Sequence, residues 1–354
     1  MATPAVLVDA PDLERFGVEV LTRLDVPRDD ALDTIRAMLR ADLRGVHTHG
    51  MMLLPIYVPR VRQGGINPRP NVRVIREQGA VALLDDDHGF GHVGATRAMR
   101  LAMERAARHG IGAAGVRSAN HYGAASAYAL LALERGQIGI SSCNSAPCMA
   151  PTGGASAVLG NNPLAVAIPA GAHPPIVLDM ATSTVAGYKI FMAARRGEKI
   201  PLGWALDRDG RTTDDPNAAW SGMLTPVGGV KGYGLAVVLE ALDALLTGAA
   251  FGVDVPWAEP HQSEQLGFFF LAIDVAAFMP LAEFTARVDA FADQIKASRL
   301  APGSSGVFLP GELEHALQQE RLERGIPFEG FVWDTLTALA AELRVAPPST
   351  RPAA

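Results

Sequence analysis

The segment Asp85–Gly94, DDDHGFGHVG, decides which kind of α/β fold the sequence encodes. Its Gly89, Gly91 and Gly94 match the G-x-G-x-x-G fingerprint of dinucleotide-binding Rossmann domains, and a helical pattern begins directly after them. In a Rossmann domain that turn follows its strand at once, whereas here a polar run separates the apolar strand from the first glycine. No acidic residue ends the next strand, where Arg117 stands instead. We therefore predict an α/β fold of a non-Rossmann kind, in which these glycines ease the entry into a helix.

The patterns on either side of this segment predict how the chain is divided. Residues 1–70 carry apolar side chains at helical spacing and are predicted to be helical. Residues 71–280 combine short apolar strands with helices, which predicts an α/β core. Helical patterns return in residues 281–345, so we expect the two chain ends to form one helical domain on the core. Residues 346–354 are predicted to be a disordered tail.

The composition limits the classes of protein that this chain can belong to. Hydrophobic residues make up 49% and charged residues 19% of the chain, which is enough apolar material for a sizeable core. The net charge of −6 and the lack of a Lys/Arg run argue against nucleic acid or a membrane surface as a partner. The sequence has neither a signal-peptide pattern nor a long apolar stretch, and Cys143 and Cys148 form no disulfide framework. We expect a cytoplasmic protein.

The stretch RSANHYGAASAYA, residues 117–129, contains the most promising catalytic candidate. His121 lies in a polar loop between an apolar strand and a helix, where an imidazole can exchange a proton near neutral pH. The small residues Gly123, Ala124 and Ala125 open the helix and leave its backbone N–H groups free for an anion. A histidine that only caps the helix remains an alternative at this point.

Two further stretches have residues suited to an anionic or sugar ligand. Asp179 comes directly after the apolar strand 176–178, where a carboxylate can orient an imidazole, bind a ribose, or cap the following helix. Lys231 lies in the glycine-rich turn GGVKGYG, beside free backbone amides that suit a phosphate or a carboxylate. The spacing of a P-loop is absent, so this turn is not predicted to be one.

The hexapeptide GVHTHG, residues 45–50, places His47 and His49 two positions apart. Such a pair serves as metal ligands, in proton transfer, or in packing. In metal-dependent hydrolases built on a barrel, the H-x-H pair lies on a strand, whereas this one follows a helix, and the repeated βα units of a barrel are missing. We predict no bound metal, and a hydrolase using His47 and His49 is the weaker alternative.

In their order along the chain, these stretches resemble the malate/L-lactate dehydrogenase family of the non-Rossmann kind, which also contains sulfolactate, ureidoglycolate and diketogulonate enzymes and Δ1-piperideine-2-carboxylate reductases. The matching motifs run almost from end to end: ADLRGVHTHG, GGINPRP, ANHYGAA, APTGG, GNNPLAVAIP, LDMATS, IPLGWALDRDGRTTDDP, GGVKGYGL, LPGE and GIPF. The resemblance implies a homodimer whose α/β core contains a mixed sheet and binds NAD or NADP. It implies hydride transfer to or from C2 of a small 2-oxo acid, 2-hydroxy acid or cyclic imine acid.

The resemblance also implies roles for particular residues. His121 matches the family's acid/base, His49 and Thr48 match its Ser-His pair with one hydroxyl replacing another, and Asp179 matches its aspartate. The cofactor contacts that the resemblance implies are Asn120, His121, Tyr122, Gly123, Ser145, Asp179, Met180, Ala181, Lys231, Gly311 and Glu312.

One departure from the family pattern concerns the substrate. The family usually has an arginine four residues after the motif histidine, and this chain has Leu53 there. Because leucine cannot make the paired charge-assisted hydrogen bonds of a guanidinium, we expect Thr48, His49 and Leu53 to bind a substrate with more apolar surface. The alternative is a non-catalytic family member that keeps the cofactor site.

Overall fold

The computed structural model describes residues 6–352, and a seven-stranded sheet forms its centre. The strand order is β2-β3-β4-β10-β5-β6-β7. Neighbouring strands are antiparallel except β3 and β4, which are parallel, so the predicted mixed sheet is confirmed. The strands of this sheet and of a small two-stranded sheet (β8, β9) are β2 Arg73–Gln78, β3 Val81–Asp85, β4 Ile111–Ala119, β5 Gln137–Cys143, β6 Leu164–Ile168, β7 Ile176–Met180, β8 Ala205–Leu206, β9 Met223–Leu224 and β10 Leu266–Asp274.

Helices cover the central sheet and form most of the two chain ends. The helix α8 continues without a break into a π-helical turn at Ala241–Leu245. In chain order the α-helices are α1 Ala10–Thr22, α2 Arg28–Leu43, α3 Leu54–Arg62, α4 Gly91–His109, α5 Ser126–Ala129, α6 Gly187–Arg196, α7 Pro216–Trp220, α8 Val230–Glu240, α9 Leu281–Lys296, α10 Glu312–Arg324 and α11 Gly330–Leu343.

The two chain ends share one apolar core, which lies beside the core of the central sheet. Phe16 and Met38 from the N-terminal segment pack in the same cluster as Phe328 and Leu336 from the C-terminal segment. A second cluster, which includes Met99 of α4, fills the space between the helices and the sheet. The chain ends therefore hold each other in place through burial of apolar surface.

A third sheet joins the chain ends and was not expected. Strand β1 (Val6–Val8) lies between β11 (Ile326–Phe328) and β12 (Thr350–Pro352), antiparallel to both. The prediction of a disordered tail is wrong for these residues, since β12 pairs with β1 and Arg351 forms an ion pair with Asp9. The sequence of the tail gives no sign of this because its pairing depends on backbone hydrogen bonds, not on an apolar pattern. Residues 353–354 of the tail lie outside the described part of the chain.

The glycines of the G-x-G-x-x-G segment allow the start of α4 to pack closely against neighbouring parts of the chain. This segment connects β3 to α4 in the one parallel strand–helix–strand unit of the described sheet. A Cβ atom on Gly91 would lie 1.8 Å from the carbonyl oxygen of Asn120, and one on Gly94 would lie 2.3 Å from Oδ1 of Asp86. The start of α4 is thus pressed against the loop that follows β4 and against a buried carboxyl group. No room is left there for a pyrophosphate, which explains why the fingerprint does not indicate a Rossmann domain.

Candidate active site

A cavity of about 480 Å³ lies between the edge strand β7, the loop after β4, and the start of α10. Among the residues that line it are most of those predicted to be functional: Thr48, His49, His121, Tyr122, Gly123, Ser145, Asp179, Met180, Ala181 and Gly311. These positions are up to 263 residues apart in the chain, from Thr48 to Gly311. The fold therefore brings the sequence-predicted residues into one place.

His121 is held on the cavity wall from two sides. Its backbone N–H donates a hydrogen bond to Oε2 of Glu264 at 2.9 Å. Its ring atom Nδ1 lies 2.7 Å from the hydroxyl oxygen of Tyr57. Burial lowers the pKa of His121, and the nearby Glu264 carboxylate opposes that change. With Nδ1 occupied, Nε2 is the ring atom left to exchange a proton with a ligand.

His49 stacks on His121, with ring centroids 5.5 Å apart and an angle of 26° between the planes. Its Nδ1 lies 2.8 Å from the hydroxyl oxygen of Thr48, which fixes the orientation of the ring. Burial, and next the proximity of His121, lowers the pKa of His49 to about 3. His49 is therefore neutral across the physiological range, and its ring can take part in hydrogen bonds but not carry a charge there.

Tyr57, on α3, contacts His121 and was not singled out from the sequence. Its side chain is buried and its hydroxyl contacts Nδ1 of His121. Burial raises the pKa of Tyr57, so the hydroxyl keeps its proton. In the sequence, Tyr57 stands in an ordinary amphipathic helix and gives no signal of this contact.

A buried ion pair supports the loop that carries His121. Nη1 of Arg60 donates to Oε2 of Glu264 at 2.7 Å, and Nη2 donates to Oδ1 of Asn120 at 3.0 Å. Asn120 in turn donates to the carbonyl oxygens of His88 and Gly89, so it lies behind the cavity wall. Glu264 does line the cavity, and its Oε1 accepts no hydrogen bond within residues 6–352. Glu264 was not predicted from the sequence.

A second charged group lies on the cavity wall formed by β7 and the ends of α2 and α10. Asp179 is part of β7, and its Oδ2 accepts the backbone N–H of Ser126 at 3.1 Å, so it caps α5 and not the helix that follows it in sequence. Burial raises the pKa of Asp179. Arg44 is 5% exposed and donates to Oε1 of Gln318 at 3.3 Å. Glu314 completes this group.

Gly311 adopts a left-handed conformation with φ 82° and allows the loop before α10 to lie against β7. A Cβ atom there would come within 2.8 Å of the carbonyl oxygen of Val177. The N–H of Val177 donates to the carbonyl oxygen of Pro310 at 2.9 Å. Residue 311 therefore needs to be glycine for the cavity wall to close at this point.

Ser145 and Asn161 form a neutral polar part of the wall. The hydroxyl of Ser145 donates to Oδ1 of Asn161 at 2.9 Å, and both residues line the cavity. Behind them, the buried Glu240 of α8 accepts hydrogen bonds from the side chains of Asn144 and Asn162. Asn161 is a further wall residue that sequence reasoning did not single out.

Several predicted residues lie outside the cavity wall. Lys231 is exposed at the start of α8. Glu312 is engaged by Lys296 and by the N–H of Leu309, and Leu53 packs against the core of the chain ends. Their roles in binding stay predictions.

Two other residues weighed in the sequence also find protein partners. Arg117 donates to Asp85 at 3.1 Å, and Nδ1 of His47 lies 2.8 Å from Oδ1 of Asp42. Within the described part of the chain, no group of three or more His, Cys, Asp or Glu residues is placed to hold a metal ion. None of the described helices is long and apolar enough to cross a membrane.

The chain is similar to known dehydrogenases over nearly its whole length. Malate dehydrogenase of Pyrococcus abyssi is 40% identical over 348 residues, 96% of this chain and 96% of that protein. The (2R)-3-sulfolactate dehydrogenase (NADP(+)) of Chromohalobacter salexigens is 34% identical over 320 residues, covering 90% and 93%. The solved structure of sulfolactate dehydrogenase from Methanocaldococcus jannaschii superposes with a TM-score of 0.90 at 37% identity, covering 96% of this chain and 98% of that one. The fold is that of these dehydrogenases, and the similarity over nearly the whole chain makes this protein a dehydrogenase.

The family of the protein is given by a match that covers most of the chain. Residues 8–337 match the family model described as malate/L-lactate dehydrogenase. The chain belongs to this family, and the resemblance seen in its motifs is confirmed.

Proposed function

We propose that the protein is an NAD(P)-dependent dehydrogenase that acts at C2 of a small 2-hydroxy acid, 2-oxo acid or related cyclic imine acid. The observation that carries this proposal is His121, fixed on the cavity wall by Tyr57 and Glu264 and stacked on the neutral His49. His121 can gain and lose a proton, whereas His49 stays neutral. This arrangement assigns proton transfer to one ring and polarisation of the substrate to the other.

The cavity has the features that a nicotinamide dinucleotide requires. Small side chains, Gly123, Ala125 and Ala181, leave room along the edge strand β7, and the buried Arg44 presents a cation for the pyrophosphate. Asp179 and Gly311 line the same cavity, and we assign the ribose hydroxyls of the cofactor to them. When bound, such a cofactor supplies or accepts the hydride at its nicotinamide ring.

Proton transfer is the part of the reaction performed by the protein. In the reductive direction, the imidazolium of His121 donates a hydrogen bond from Nδ1 to the Tyr57 hydroxyl oxygen. It delivers the proton on Nε2 to the C2 carbonyl oxygen of the substrate, which becomes the hydroxyl of the product. In the oxidative direction, neutral His121 keeps its proton on Nδ1, and Nε2 accepts the proton of the substrate hydroxyl. Because burial lowers the pKa of His121, the imidazolium is a stronger acid than in water.

We propose that uncharged hydrogen-bonding side chains, and not an arginine, bind the substrate. Arg60 is committed to Glu264 and Asn120, so it is not free to replace the arginine that is missing at Leu53. The hydroxyl of Ser145 and the amide of Asn161 line the cavity and supply hydrogen bonds without a full charge. A substrate that depends on a guanidinium clamp would therefore bind less well than in a family member that has one.

A homodimer is part of the proposal, supported by an exposed apolar face on α8 and its π-helical extension. Val230, Val237, Val238, Leu245 and Leu246 are between 42% and 66% exposed and recur at helical spacing. A contiguous face of this kind on a dehydrogenase of this size marks a protein contact, and the family resemblance implies a second copy as the partner. Lys231 stands beside this face and would act at the subunit contact.

The test is a steady-state scan of 2-oxo acids with NADH and NADPH, in which oxidation of the reduced nicotinamide is the measured signal. The native protein and His121→Ala are assayed side by side. We expect turnover of at least one member of the panel and a loss of about 10²–10⁴-fold in kcat in the variant, with cofactor affinity retained. The exposed His261→Ala serves as the control. Cofactor binding without turnover would indicate a non-catalytic family member. More than about a tenth of the native rate in His121→Ala would remove His121 from the proposed role.

A further inference from the structure

The charged side chains of the cavity fall into two separate groups. Near the reacting end, the charges that act on His121 are those of Glu264 and Arg60. In the second group, the charges that act on Asp179 are those of Arg44 and Glu314. Both groups line the same cavity, and so do Leu178, Asp179 and Met180 of β7. In the function proposed above, a cofactor with its nicotinamide against His121 would leave its adenosine half for the part of the cavity that the second group lines.

The second group has more negative than positive charge. Arg44 is the one Lys or Arg among the residues that line the cavity in the described part of the chain. It lies close to Glu314 and Asp179, whose charges act on its guanidinium, and its Nη1 is already used by Gln318. Arg44 can therefore bind one phosphate group. Among the described residues that line the cavity, there is no second Lys or Arg to bind another phosphate.

Glu314 differs from its neighbours because, among the described residues, no group lies within hydrogen-bond or ion-pair distance of its carboxylate, although the charge of Arg44 is nearby. Asp179 is occupied by the N–H of Ser126, whereas Glu314 forms neither a hydrogen bond nor an ion pair with any residue of the described range 6–352. Glu314 stands in the first turn of α10, half-buried, with its side chain on the cavity wall. An unpartnered carboxylate in a ligand cavity is suited to accept hydrogen bonds from hydroxyl groups and repels phosphates.

We propose that Glu314 makes the cavity selective for NAD(H) over NADP(H) by accepting a hydroxyl of the adenosine ribose. The two cofactors differ at the ribose 2′ position, which carries a hydroxyl in NAD and a phosphate of about −1.5 to −2 charges in NADP. A carboxylate favours the former by hydrogen bonding and opposes the latter by like-charge repulsion. The inference rests on the proposed function and adds to it the choice of cofactor.

Direct binding of the two reduced cofactors tests the proposal without any substrate. Quenching of protein fluorescence, or enhancement of nicotinamide fluorescence, gives the dissociation constants of NADH and NADPH for the full-length native protein and for Glu314→Gln. We expect NADH to bind at least about tenfold more tightly than NADPH in the native protein. In Glu314→Gln the ratio should fall by about tenfold, mainly because NADPH binds more tightly. Glu314→Arg should favour NADPH further.

Glu320→Gln is the matched control, since Glu320 lies on the same helix but is exposed and pairs only with Arg324 among the described residues. This variant should keep the native ratio. Equal or tighter binding of NADPH by the native protein would overturn the inference while leaving the dehydrogenase assignment intact. A native preference for NADH that Glu314→Gln leaves unchanged would overturn the role of Glu314. If neither cofactor binds, the proposed function itself fails, and the inference fails with it.

Discussion

The hydroxyl oxygen of Tyr57 lies 2.7 Å from Nδ1 of His121, across a sequence separation of 64 residues. This contact decides which nitrogen of the imidazole is available to a ligand, because Nδ1 is occupied and Nε2 has no hydrogen-bond partner among residues 6–352. It also couples α3, and with it the domain of the chain ends, to the catalytic loop of the α/β core. The orientation of the His121 ring, the proposed acid/base, is therefore set by a residue outside every recognisable motif.

Replacing Tyr57 by phenylalanine should lower kcat while the side chain still fills its place in the core. Loss of one hydrogen bond worth about 1–1.5 kcal/mol, and of the tautomer that it selects, predicts a decrease of about tenfold in kcat. The dissociation constant of the reduced cofactor should not change, because Tyr57 is not among the residues that line the cavity. Steady-state kinetics and fluorescence titration measure the two quantities. A native kcat in Tyr57→Phe would mean that the hydroxyl has no part in positioning His121.

Glu264 should set the pH dependence of the reaction. Burial lowers the pKa of His121, and the Glu264 carboxylate opposes this by favouring the imidazolium. Glu264→Gln removes the opposing charge and leaves Arg60, which lowers the pKa further. The reductive reaction needs protonated His121, so the alkaline decline of kcat/KM should move to lower pH in the variant. A pH profile at saturating cofactor tests this, and a decline that stays in place or moves to higher pH would contradict it.

The sequence singled out those residues of the cavity wall whose surroundings are local in the chain. His49, His121 and Asp179 stand in motifs next to strand or helix ends, and such positions could be assigned before the fold was known. Tyr57 and Glu264 could not, because their roles come from contacts with residues far away in the chain and their own surroundings look like ordinary helix and loop.

The same distinction holds for the fold. The strands and helices of the core and the helical ends follow from apolar periodicity and turn residues, whereas the mixed sheet was implied by the family resemblance. Strand β12 does not, since its pairing with β1 is a backbone interaction made by residues that carry no strand pattern. Lys231 shows the opposite case: its glycine-rich turn predicts an anion site, but the described chain places it outside the cavity, on the edge of an exposed apolar face.

That apolar face predicts the oligomeric state. Val238→Asp places a charge in the centre of the face of α8, where burial in a subunit contact would cost several kcal/mol. We expect the native protein to sediment as a dimer and the variant to dissociate at micromolar concentration. Phe291→Asp, an equally exposed apolar residue on α9, should remain dimeric and serves as the control. A native protein that sediments as a monomer would refute the homodimer.

Activity should survive removal of metal ions. His47 pairs with Asp42 and His49 with Thr48, so the two imidazoles of the H-x-H pair are each held by a protein partner. The proposed hydride reaction needs no metal. Exhaustive dialysis against a chelator should leave kcat unchanged, with metal content checked by mass spectrometry. Loss of activity that Zn²⁺ or Mn²⁺ restores would favour the hydrolase-type use of the histidines.

His92, behind the active site, should make the fold sensitive to acid. Its ring is fully buried, and neither nitrogen has a hydrogen-bond partner in the described part of the chain. Burial, aided by the proximity of His121 and His49, lowers the pKa of His92 well below its ordinary 6.5. Below pH 6.5 the unfolded chain therefore takes up a proton that the folded protein refuses. The free energy of unfolding must then fall as the pH falls, by up to about 1.4 kcal/mol per pH unit from this residue.

The variant His92→Gln removes this titration, so its free energy of unfolding should depend less steeply on pH between 6.5 and 5 than that of the native protein. Urea unfolding at a series of pH values gives the two slopes. Buried carboxyl groups with raised pKa values, such as Asp86 and Asp243, change stability in the opposite direction, but they are present in both proteins and cancel in the comparison. The exposed His261→Gln should keep the native slope. Identical slopes in native protein and His92→Gln would show that His92 is protonated in the folded state as readily as in the unfolded one.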